Sequence, residues 1–141
     1  EVAGPLFAER IVMALNDFTK DEVRPEIRIN RSDDFMSVDE GQRIIINLSL
    51  SAGNLRGQLA DWWVLVWTQD VWFSYVYQNK AFEWVEGISR LVAMPIISFK
   101  RVSIPVGILP KNEYSFFFAL DGNADNLLDA TWYDYVYLIV E

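Results

Sequence analysis

Neither cysteine nor histidine occurs anywhere in the chain. Without them no Ser-His-Asp or Cys-His nucleophile can be assembled, and no zinc site built on thiolate or imidazole exists. The side chain that most often moves protons near neutral pH is missing as well. Carboxylates, lysine, tyrosine and hydroxyls are what remain for catalysis. Zero cysteine is neutral on compartment and says only that the fold is expected to need no disulfide. No apolar run approaches the ~20 residues of a membrane-spanning helix, and no signal peptide is apparent. The sequence starts at Glu1 instead of Met, which reads as a piece of something longer. Basic residues are also scarce: 12 Lys and Arg face 20 Asp and Glu, a net charge of −8. Such a surface repels nucleic acid and anionic lipid, so neither is expected as a partner, and cations or neutral ligands fit better.

Aromatic residues are abundant. Six Trp, six Tyr and nine Phe stand among 141 residues, of which 52% are hydrophobic. That excludes a disordered chain. The length fits one domain with a real core, and the ring count exceeds what one small core needs, so some rings are expected at the surface.

Periodicity divides the chain at residue 25. In residues 1–24, Phe7, Ile11, Leu15 and Phe18 recur at helical spacing, which predicts a short amphipathic N-terminal helix and a linker. This helix would cap the domain or dock a neighbour. From Pro25 the period becomes two. Ile27 and Ile29, then Ile44, Ile46, Leu48 and Leu50, alternate with mostly polar residues. Two aromatic strands at 62–68 and 72–77 are expected to form a hairpin. Further strands are predicted at 82–85, 99–104, 114–120 and 132–140. Residues 87–95 read as irregular, and Pro105, Gly107 and Pro110 are expected to break regular structure. Tyr114, Phe116, Phe118 and Leu120 should share one face, as should Val136, Leu138 and Val140. Seven or eight short strands without helical crossovers predict an all-β, antiparallel, Ig-like β-sandwich over 25–141.

The second half resembles a loosely defined family of Ig-like β-sandwich modules in bacterial secreted or surface multidomain proteins. The residues that carry the resemblance are Ala60-Asp61-Trp62-Trp63-Val64, Trp84-Val85-Glu86-Gly87, Leu109-Pro110, the run from Tyr114 to Asp121, then Asn123, Asn126 and Asp129, and the closing Tyr133-Asp134-Tyr135-Val136. It covers roughly residues 25–141 and departs from the family at Asn126, where glycine is usual. The resemblance implies an extracellular or cell-surface location and no known activity.

Three groups of residues are candidates for function. Asp121, Asn123, Asp125 and Asp129 put oxygens at positions 1, 3, 5 and 9 of an EF-hand-like calcium loop. Position 6 is Asn126 instead of glycine, position 12 is Trp132 instead of glutamate, and a plain polar hairpin loop is the alternative. On the aromatic hairpin, Trp62, Val64 and Val66 should face the core. Trp63 and Trp67 then face outward, with Tyr75 and Tyr77 continuing that face as a platform for a glycan, another neutral ligand or a neighbouring domain. Glu83 and Glu86 flank Trp84 as a conceivable carboxylate pair, although a glycosidase needs two carboxylates across a cleft. Asn30-Arg31-Ser32 and Asn47-Leu48-Ser49 match the glycosylation acceptor pattern. The expected function is a non-catalytic extracellular binding or presentation module, with calcium as its candidate cofactor. The alternatives are a carbohydrate-active domain using carboxylates and a structural spacer.

Overall fold

The computed structural model describes residues 22–32 and 35–141. The helix and linker expected over 1–24 lie outside the described residues, apart from the last three positions of the linker. There Val23 is already buried in the core, and the first strand begins at Arg24. Ten strands follow one another: β1 (Arg24–Ile29), β2 (Met36–Val38), β3 (Arg43–Ser51), β4 (Leu59–Thr68), β5 (Val71–Gln78), β6 (Ala81–Glu86), β7 (Val92–Pro95), β8 (Phe99–Ile108), β9 (Asn112–Asp121) and β10 (Trp132–Val140). Among the described residues a 3-10 turn at Gly53–Leu55 interrupts them.

The strands form two sheets. The smaller has the order β1-β3-β8; the larger runs β2-β10-β9-β4-β5-β6, with β7 also paired to β4. Their apolar faces meet as a β-sandwich. Ile27, Ile29, Ile44, Ile46 and Leu48 from one sheet pack on Trp62, Val64, Phe116, Phe118, Leu120, Val136 and Leu138 from the other. Each such side chain contributes roughly 1.5–3 kcal/mol on burial. The period-two pattern placed these residues because alternate side chains of a strand point to opposite faces. One pairing departs from the antiparallel expectation: β2 runs parallel to β10.

Two stretches that read as irregular are strands. Val92–Pro95 is short but pairs with the start of β4. β8 runs through Pro105 and Gly107 because it lies at an edge of its sheet, where a proline's missing N–H removes no ladder bond. Gly107 adopts φ +98°, and the register with β3 shifts beside it, between Ile44 and Ile45.

The β4–β5 and β5–β6 hairpins each close with two residues at positive φ, Gln69 and Asp70 (51° and 63°) and Asn79 and Lys80 (54° and 65°). Positive φ at both central positions is the type I′ geometry that matches strand twist. These turns set the register, which pairs Trp67 with Trp72 and Tyr77 with Phe82.

Candidate functional site

Asp121 and Asp61 sit opposite each other on β9 and β4, and both are fully buried. A buried carboxylate needs hydrogen-bond donors or a cation. For Asp121 the donors are N–H groups. Trp63 Nε1 donates to its Oδ2 at 3.1 Å and the Asp129 amide to the same oxygen at 2.7 Å, while the Thr131 amide donates to Oδ1 at 3.0 Å. For Asp61, Arg90 Nη1 donates to Oδ1 at 2.8 Å and the Asn126 amide to Oδ2 at 2.7 Å. The two carboxylates therefore hold the 122–131 loop by its backbone.

This chemistry bears directly on the expected calcium loop. Asp121 turns its oxygens to donors within the protein. Asp125 is exposed and accepts the Leu127 amide at 3.0 Å in a local turn. Asn123 and Asp129 are exposed. Among the described residues no three acidic side chains converge as metal ligands.

The aromatic expectations divide by face. Trp62, Val64 and Val66 do face the core. Trp63 points the other way but is buried, because Leu128 and Ala130 of the anchored loop fold over it together with Tyr133. Trp67 shares that outer face and is half-buried against Trp72, ring centroids 6.4 Å apart. Tyr75 and Tyr77 do not continue the outer face. With Trp67 opposite Trp72, the even-numbered residues of β5 share the face of Trp63 and Trp67, which leaves Phe73, Tyr75 and Tyr77 on the core-side face. The four predicted ligand-binding residues thus belong to two different surfaces.

The carboxylate pair separates in the same way. Glu83 and Glu86 differ in parity along β6 and point to opposite faces. Glu83 accepts from Gln78 Nε2 at 2.6 Å. Both glycosylation-pattern asparagines are used internally. Asn47 accepts the Arg31 amide at 2.9 Å and donates to Ser103, while Asn30 accepts the Ile45 amide at 2.9 Å.

On the β5–β6 hairpin, Tyr75 and Tyr77, expected as part of a platform with Trp63 and Trp67, instead join Phe82 and Trp84, which the sequence reading did not single out for binding. Tyr75 stands opposite Trp84, and Tyr77 opposite Phe82. Their rings form a ladder: Tyr77 to Phe82 is 4.8 Å, Tyr75 to Trp84 is 5.0 Å, and Tyr75 stacks on Phe82 at 5.5 Å and 11°. One end is anchored where Trp84 meets Phe116 edge-on in the core. The other end is open, with Phe82 56% and Tyr77 51% exposed. Burial raises the Tyr75 phenol above its ordinary value. Trp84 Nε1 is a buried donor with no acceptor among the described residues. Glu86 lies on the same face as the ladder and is exposed.

No family model and no curated protein matches the chain. Among solved structures, the chain is similar to a CARDB domain of a Pyrococcus furiosus protein, solved in complex with di-metal ions. The TM-score is 0.44 at 10% identity, over 84% of this chain and 92% of that one.

Proposed function

We propose that this chain is a non-catalytic, Ig-like β-sandwich module of an extracellular or cell-surface protein, and that it binds a polypeptide partner through the β5–β6 hairpin. The observation that carries this reading is the aromatic ladder with its exposed end at Tyr77 and Phe82. Exposed rings grouped on one element anchor protein partners well, because they bury large area at little entropic cost. A sugar platform needs a free, flat ring face. Here Phe82 and Tyr75 cover each other, and Phe82 has no polar group to orient a glycan. Catalysis is disfavoured because Glu83 and Glu86 point to opposite faces, and Asp61 and Asp121 are buried and occupied by backbone amides together with Arg90 and the Trp63 indole.

The test uses a random-peptide display library and a glycan array, each probed with the native protein and with a Tyr77→Ser, Phe82→Ser double variant. Peptides should enrich on the native protein and be lost on the variant, which should keep a cooperative melt. Glycan hits lost on the variant would replace the partner with a sugar. Silence on both arrays would favour the spacer. Glycoside turnover abolished by Glu86→Gln would restore the enzyme reading.

A further inference from the structure

We propose that β6 is an open strand-addition edge, and that its occupant is an extended, basic segment of a partner polypeptide that pairs with the backbone of Phe82, Trp84 and Glu86. The inference rests on the functional reading above and adds the partner's conformation and charge.

The parity of the hairpin decides which backbone groups are free. In an antiparallel pair, hydrogen-bonded and non-hydrogen-bonded residue pairs alternate. The Gly87 amide donates to the Trp72 carbonyl at 2.8 Å, continuing the β5–β6 register. The pairs two residues further on, Ser74 with Val85, Val76 with Glu83 and Gln78 with Ala81, are therefore the bonded ones. The intervening residues Phe82, Trp84 and Glu86 turn their N–H and C=O groups away from β5. Among the described residues β6 pairs with no other strand. The residues with outward backbone groups are thus the same ones whose side chains line the ladder face.

Other edges carry devices that discourage strand addition. β8 contains Pro105 and register shifts. β2 has three residues. Along β1, the Ile27 amide is capped by Asp134 Oδ2 at 2.9 Å. β7 is four residues long and ends in Pro95. Proline, brevity, bulges and capping are how natural sheets protect their edges. The six-residue β6 (Ala81–Glu86) has no proline, no bulge and no basic residue within it.

Charge selects the partner. The two ionisable residues of β6, Glu83 and Glu86, are both acidic and exposed, on a chain of net charge −8. A second copy of this chain would set acidic edge against acidic edge, which is unfavourable. A segment with Lys or Arg at alternate positions places cations beside Glu86 and over the rings of Trp84 and Phe82, where cation–π attraction adds to pairing. Extended peptides added to a sheet edge gain affinity from main-chain bonds and specificity from alternate side chains.

The probe is a synthetic ten-residue peptide alternating Lys and Val, compared with the same peptide N-methylated at alternate residues and with a Glu–Val counterpart. Binding is read by titration calorimetry, and hydrogen exchange is read at the individual amides of β6. The Lys–Val peptide should bind, slow exchange at Phe82, Trp84 and Glu86, and weaken at least tenfold on N-methylation. A Glu83→Lys, Glu86→Lys double variant should reverse the preference between the basic and acidic peptides. Equal binding of methylated and unmethylated peptide at Tyr77 and Phe82 would overturn strand addition and leave the aromatic docking reading standing. Tighter binding of the Glu–Val peptide to the native protein would overturn the charge assignment. No binding by any of the three would overturn the inference, while peptides enriched from the library would still uphold the function.

Discussion

Asp121 has three N–H donors on its two oxygens, and they come from β4 and from the loop that follows it. Removing the carboxylate strands these donors where water has poor access, at about 1–3 kcal/mol each. Asp121→Ala should therefore cost about 3 kcal/mol or more in urea unfolding. Asp125→Ala, which loses one exposed local bond, should cost under about 1 kcal/mol. Equal costs would mean that the loop is not hung on Asp121. A second prediction concerns Tyr114, whose hydroxyl donates to the Pro110 carbonyl at 2.7 Å. Burial raises its phenol above the ordinary value of 10.0. Its contribution to stability is complete below that value. As the pH rises, the unfolded chain ionises first, and the contribution is lost through the folded-state value. Unfolding free energy should hold steady between about pH 7 and pH 9 as far as this group is concerned, then fall above about pH 10. Tyr114→Phe should flatten that alkaline fall and cost about 1 kcal/mol at neutral pH.

The hairpins are the elements that set which residues meet. Asn79 and Lys80 both adopt left-handed φ, and lysine does so at a steric cost that glycine avoids. Lys80→Gly should raise the urea midpoint by an amount equivalent to about 0.5–1 kcal/mol with an unchanged slope. A lower midpoint would show that the turn is held by contacts of the lysine. The turns also explain how far the sequence could be read. Alternation revealed the longer strands, though not β2 or β7, and the inward side of β3, β4, β9 and β10, because that pattern is a property of each strand alone. It could not relate β4 to β5: one residue more or less in the turn moves Tyr75 and Tyr77 to the opposite face. Nor could it show that Trp63, though on the outer side, lies beneath Leu128 and Ala130, since that cover depends on carboxylates anchoring a loop distant in sequence. The acidic spacing of 121–129 suggested metal binding for a related reason. Oxygens that hold cations and oxygens that hold amides look alike in sequence. The β6 edge was half visible: its aromatic residues stood out, while its unpaired backbone is a fact of sheet order.

Across the whole molecule, a net charge of −8 means self-repulsion that salt relieves. Raising NaCl from about 20 mM to about 500 mM shrinks the screening length to a few ångströms and should raise the melting temperature. Calcium and magnesium are to be compared at equal ionic strength: a calcium-specific rise lost in Asp125→Ala would establish an ion site in the 121–129 loop, and coincident melts would leave the loop held by hydrogen bonds alone. The two buried carboxylates also impose an order of events in time. Asp61 receives the amide of a residue 65 positions away, so this latch can close only after β4 and β9 have found each other. Pairings of such long range place folding on the millisecond-to-second scale. Contacts made after the rate-limiting step leave the folding rate almost untouched and act on unfolding. Asp61→Ala should thus hasten unfolding many-fold while refolding proceeds at nearly the native rate, which makes the latch a device that governs how long each native molecule lasts.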